Sequence, residues 1–184
     1  VMHPDGTYYY KVTDFKPLPF FTVMSEHFGR LIRLIEQNIT PKVRLNLETE
    51  FYLNPGNNVN ILGEITGTDP ALKSETVMIG AHFDSWHAGT GAMDNGANSI
   101  VLIEAMRILK AIGYVPKRTL KIGLWGGEEQ GLMGSVAYGK AHFGNYDEDP
   151  SLESKGMSAY LNIDNGAGLI RGVHLQNNAL AGPV

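Results

Sequence analysis

Glu128 and Glu129 stand side by side within Gly126-Gly127-Glu128-Glu129-Gln130-Gly131-Leu132-Met133-Gly134-Ser135, directly after the apolar run Leu120–Trp125. Two adjacent carboxylates at a strand end repel one another and lose hydration, a cost that a neighbouring cation removes. Such a pair can divide the labour of hydrolysis, one carboxylate binding metal and the other moving protons. Taken alone, the same pair also suits a solvated helix start, where the helix dipole favours acids.

Three further segments bring comparable groups. His82 and Asp84 close the apolar run Thr76–Phe83, Asp94 lies in Gly91-Ala92-Met93-Asp94-Asn95-Gly96, and Asp164 ends Ser158–Ile163. Each has a plain alternative. A histidine at a strand end is commonly structural, Asp94 suits a helix N-cap, and Asp164 before Asn165-Gly166 suits a turn. A metal site accounts for all of them together. The chain has no cysteine, so any metal must be held by His, Asp and Glu. That ligand chemistry fits a hydrolytic zinc site with a position open to water. His82 and Asp84 lie on one face of an extended chain, so Asp84 can orient the imidazole. His3, His27, His142 and His174 have no comparable partners and are read as structural, Trp86 and Trp125 as packing residues, and His87 as solvent-exposed.

The elements that must position these groups follow from periodicity. Thr76–Phe83 and Thr119–Trp125 are short apolar runs without a polar face, as central strands covered on both sides require. Asn98–Lys110 and Gly131–His142 have helical character, and Ser158–Ile163 forms another strand. This alternation predicts an α/β fold, a doubly wound and mostly parallel sheet with helices on both faces and ligands bound beyond the strand carboxyl ends. Nearer the N-terminus, residues 1–24 read as short strands and turns. Ser25 is expected to cap a helix reaching Gln37, and residues 42–53 and 59–66 to form a hairpin around Asn54-Pro55-Gly56.

Composition excludes several classes. With 184 residues, 43 % of them hydrophobic, the chain can bury the core of one domain. A formal charge of −4 and no basic run argue against a nucleic-acid partner. No apolar stretch is long enough to span a membrane as a helix. There is no Gly-x-Ser-x-Gly elbow, which with the missing cysteine disfavours a nucleophile-based hydrolase.

Gly80-Ala81-His82-Phe83-Asp84-Ser85-Trp86, Gly91–Asn98, Trp125–Ser135 and Asn162-Ile163-Asp164 together resemble the successive motifs of the di-zinc aminopeptidase family. That family includes glutamate carboxypeptidase-like and carboxypeptidase Q-like enzymes. The resemblance covers about residues 58–170 and extends through Val115-Pro116-Lys117-Arg118-Thr119-Leu120. It implies a zinc-dependent exopeptidase of aminopeptidase or dipeptidase type, acting on peptides or dipeptides through a water shared by two zinc ions. His82 and Asp164 would bind one zinc, Asp94 would bridge both, and Glu129 would bind the second. Glu128 would be the general base, with Asp84 orienting His82. The resemblance further implies an extracellular or periplasmic location. It also implies a division into residues 1–47, the C-terminal part of a protease-associated insert and its return, and 48–184, a partial catalytic domain.

Two departures stand out. Asn95 occupies a position where many members have aspartate, and the resemblance predicts a cis bond between Asp94 and Asn95. The family's last histidine ligand lies well downstream of the Asp164 motif, and His174 comes too soon to match it. The chain is therefore expected to be a piece of a longer protein that alone binds a second metal poorly and has little activity. The alternative, a non-catalytic binding or receptor-ectodomain relative, should have lost ligands that this chain retains.

Overall fold

The structure, a computed structural model, describes residues 21–48, 58–145, 147, 149–164 and 166–178. The chain divides into two compact units, Val1–Asn57 and Asn58–Val184. In the first, the described residues form one helix, α1 (Ser25–Glu36). Its first helical hydrogen bond runs from the Phe28 N–H to the Met24 carbonyl, so Met24 holds the cap position and Ser25 is already helical, one residue later than expected for a cap. No residue of α1 is buried. Residues 39–48 have no regular structure, so the strand expected over 42–53 is absent where it is described, and its remainder lies outside the described residues.

The second unit holds β1 (Ile61–Ile65), β2 (Thr76–His82), α2 (Ala97–Ala111), β3 (Thr119–Trp125), α3 (Met133–Phe143), the short α4 (Leu152–Lys155) and β4 (Met157–Asn162). The sheet order is β1-β3-β2-β4. β2 pairs in parallel with both β3 and β4, while β1 pairs antiparallel with β3. The apolar runs without a polar face are thus the two inner strands, and β2 is buried along most of its length.

Alternation along β2 and β3 separates two packing layers. Ala81, Ile122 and Leu124 meet Leu102 of α2, with Ile79 and Met106 against them. Met78 and Trp125, on the opposite face, meet Tyr138 of α3. Leu102 and Met106 are one helical turn apart, the spacing that puts both on the sheet. Helices therefore cover both faces of a mostly parallel sheet, as the pattern predicts.

Parallel pairing sends the carboxyl ends of β2, β3 and β4 to the same edge. Buried polar bonds lock α2 to that edge. The Ser99 hydroxyl donates to the His82 carbonyl at 2.8 Å. Asn95, fully buried, donates from Nδ2 to the Ile163 carbonyl at 3.0 Å and accepts from the Asn98 amide. The Asp94–Asn95 peptide bond is cis. An ionised aspartate could not donate to Ile163, which gives a physical reason for the amide at this position. Replacing Asn95 with alanine strands the Ile163 carbonyl and the Asn98 amide. Chemical denaturation should report a loss of about 2–4 kcal/mol for Asn95→Ala, whereas a change under 0.5 kcal/mol would show that these bonds contribute little.

Candidate metal centre

His82 is the last residue of β2 and its side chain is only 3 % exposed. Its Nδ1 lies 3.1 Å from the backbone carbonyl of Asp84, an oxygen that can only accept. The ring proton is thereby committed to Nδ1, and Nε2 turns its lone pair towards the strand-end edge. Around Nε2 stand Asp94 Oδ1 at 3.1 Å, Asp164 Oδ1 at 3.1 Å and Glu128 Oε2 at 3.9 Å. An imidazole nitrogen facing three carboxylates is stable only if it is protonated or shares a cation with them.

The electrostatics reflect that conflict. Burial opposes a charged imidazolium, but Asp164, Glu128 and Asp84 outweigh it and hold His82 above the ordinary histidine range. Burial pushes Glu128 up, and Asp164, Asp84 and Asp94 add to the effect against the opposing pull of His82. Glu129 is likewise raised, first by burial and then by Asp94 and Glu128. Among the described residues, the only ion pairs of Asp84, Asp94, Glu128 and Asp164 are with His82.

The Glu128-Glu129 turn is held by Asp84. Its two carboxylate oxygens accept the backbone N–H groups of Glu128 and Glu129 at 3.0 and 3.2 Å. Its Oδ1 also stands 3.4 Å from His82 Nδ1, so the carboxylate joins the ends of β2 and β3. The turn itself needs glycine at 127, where φ is +68° and an added Cβ would meet Asn58 Nδ2 at 2.5 Å.

A divalent ion fits what the turn presents. His82, Asp94 and Glu129 each offer a ligand atom, all within 4.8 Å of one another. Glu129 Oε1 is buried and has no hydrogen-bond partner among the described residues, the condition expected of a carboxylate oxygen built for a cation. All six residues singled out from the sequence thus lie together, with Asp164 and Glu128 also facing Nε2 and Asp84 behind the turn. His142, read as structural, pairs with Glu153 at 3.0 Å. Trp125 is packed as expected, whereas Trp86 is half exposed.

A family model described as "Peptidase family M28" matches residues 60–177. The chain belongs to peptidase family M28. It is 33 % identical over 128 residues to carboxypeptidase Q of Bos taurus, covering 70 % of this chain and 26 % of that protein. An aminopeptidase of Pseudomonas aeruginosa (strain UCBPP-PA14) is 33 % identical over 126 residues, covering 68 % of this chain and 21 % of the relative. Among solved structures, a peptidase M28 precursor from Shewanella amazonensis SB2B is 34 % identical with a TM-score of 0.52, covering 59 % of this chain and 22 % of that one. The chain thus spans about a quarter of the length of the carboxypeptidase Q relatives. Two of these relatives are named as peptidases, a carboxypeptidase Q and an aminopeptidase.

Within this M28 chain, Asn95, Asn98 and Ser99 are positioning residues that the sequence left unassigned. Their signal was an amide-and-hydroxyl cluster just before the apolar run Ile100–Ile103 at the start of a helix, where polar side chains are costly unless they bond. No described helix is long and apolar enough to cross a membrane.

The raised groups fix the sign of a pH effect. Without metal, folded His82, Glu128 and Glu129 hold protons that the unfolded chain releases. Stability is therefore lost as pH rises, above about 4.3 for the carboxyls and above about 6.5 for the imidazole. A bound divalent ion replaces those protons. The rise in Tm on adding zinc should be larger at pH 8 than at pH 5.5, and an equal or smaller rise at pH 8 would contradict the metal assignment.

Proposed function

We propose that the intact protein is a zinc-dependent exopeptidase of aminopeptidase or dipeptidase type, cleaving peptide bonds next to a chain terminus. The observation that carries this proposal is Glu128, partly buried, with a carboxylate 3.9 Å from His82 Nε2 and its backbone tied to Asp84. His82, Asp94 and Glu129 would hold zinc, with Asp164 completing the donor set around Nε2; the orphaned Glu129 Oε1 supports this assignment. In a two-ion arrangement, Asp94 would serve both ions, His82 and Asp164 the first, and Glu129 the second. Bound zinc would lower the pKa of water and stabilise negative charge on the scissile carbonyl oxygen.

The chain's own groups would manage the protons and the geometry. A Glu128 oxygen takes a proton from the attacking water as its oxygen bonds to the carbonyl carbon. The same carboxyl then gives that proton to the leaving nitrogen as the C–N bond breaks. In the metal-free chain burial, with Asp164, Asp84 and Asp94, raises the Glu128 carboxyl from its ordinary value. Asp84 keeps this carboxylate in place by accepting both backbone N–H groups of the turn. The substrate would be a peptide or dipeptide, and the working location extracellular or periplasmic.

Glu128→Gln keeps the shape of the side chain but removes the base. In the intact protein it should retain zinc while kcat falls by about 10²–10⁴-fold. Zinc content by atomic absorption and turnover on a dipeptide panel would check this. Near-normal turnover with full zinc would remove Glu128 from the role of base.

A further inference from the structure

Beside the metal ligands lies a cleft of about 210 Å³, lined by His82, Glu128, Asp164, Leu132, Tyr160 and Asn162, among others. The metal chemistry uses the first three. Tyr160 and Asn162 belong to β4, on the same side of the sheet as Trp125, and no step of hydrolysis has yet needed them.

A directed hydrogen-bond chain joins them. Trp125 Nε1–H donates to the Tyr160 hydroxyl at 2.7 Å, and that hydroxyl donates to Asn162 Oδ1 at 2.8 Å. An indole N–H can only donate, so the Tyr160 oxygen accepts from it and passes its own proton onward. This sequence fixes the amide of Asn162, with its oxygen held by Tyr160 and its Nδ2 left over. Among the described residues Nδ2 has no acceptor.

The fold makes room for this chain at one position. Gly80 of β2 faces Asn162 of β4 in register. A Cβ at Gly80 would collide with the Tyr160 hydroxyl and come within 2.8 Å of Trp125 Nε1. Glycine two residues before His82 thus allows the phenol and the indole to meet over β2, on the His82 side of the strand.

The cleft is otherwise rich in acceptors, because Glu128 and Asp164 contribute carboxylates. A peptide brings both N–H donors, which carboxylates satisfy, and carbonyl oxygens, which they repel. A neutral amide donor at the edge of the carboxylate group supplies the missing partner.

We propose that Asn162 is a substrate-positioning residue whose Nδ2 donates to a backbone carbonyl oxygen of the bound peptide, with Trp125 and Tyr160 setting the direction of its amide. This inference rests on the exopeptidase function proposed above. Removing Asn162 costs a hydrogen bond made alike in the bound substrate and the transition state, so the loss falls on KM. Removing the Tyr160 hydroxyl frees the amide to rotate and acts only through Asn162.

The test uses the intact, zinc-loaded protein. A dipeptide mixture followed by mass spectrometry identifies the dipeptide that the wild type cleaves fastest, and that dipeptide serves as the probe for every variant. Asn162→Ala should raise KM about 3- to 10-fold, with kcat changed less than about threefold and zinc content unchanged. Tyr160→Phe should raise KM by a smaller factor and shift the Trp125 indole N–H resonance upfield. The double variant should match Asn162→Ala alone, because the hydroxyl has no other route to the substrate. A wild type without zinc-dependent cleavage would overturn the exopeptidase function and this inference with it. An active wild type whose KM is unchanged by Asn162→Ala, zinc loss in that variant, or multiplicative KM effects in the double variant would overturn this inference alone.

Discussion

A buried imidazole with its proton already committed governs the strand-end region. The Asp84 carbonyl holds Nδ1–H of His82, which leaves Nε2 among the carboxylates of Asp94, Asp164 and Glu128. Carboxylates gathered this closely on a 3 %-exposed histidine oppose folding unless a proton or a metal joins them. The unpartnered oxygen of Glu129 points to the same deficit of positive charge. A cation satisfies both at once, whereas protonation of His82 leaves Glu129 unbonded.

The rest of the second unit can be understood as the means of assembling that deficit. Parallel pairing of β2 with β3 and β4 delivers His82, the Glu128-Glu129 turn and Asp164 to one edge. Apolar packing in two layers supplies the stabilisation that offsets the electrostatic cost. Neutral polar bonds then set the details. Asn95 and Ser99 tie the start of α2 to the ends of β4 and β2, and so hold Asp94 near His82. Asp84 fastens the turn through two backbone N–H groups, turning a carboxylate that would repel Glu128 and Glu129 into one that binds their backbone.

How much of this could be read from the residues depended on the kind of interaction. β2, β3 and α2 were visible because burial imposes periodicity, and their observed limits differ from expectation by a residue at most. The six groups of the candidate metal centre stood out because charged groups gathered at strand ends demand an explanation. Contacts made by backbone atoms left no such trace. The Asp84 carboxylate was expected to orient His82, yet its closer bonds are to the N–H groups of Glu128 and Glu129, and its carbonyl is what meets the ring. Over residues 42–48, the described part of the strand expected over 42–53, alternation of Val43, Leu45 and Leu47 states only a preference, while a strand needs a partner edge to form. β1 found its partner in β3, distant in sequence, which no local turn signal could have revealed.

The Asn162 amide and the Glu128 base both depend on a cation in the same place, so its location is the central claim. X-ray data collected from zinc-soaked crystals at energies above and below the zinc edge would locate it. The account predicts anomalous density bonded to His82 Nε2 and to the carboxylate oxygens of Asp94, Asp164 and Glu129, with Glu128 close by but not a ligand. No peak at His82 Nε2, or one that leaves Glu129 Oε1 without a partner, would contradict it.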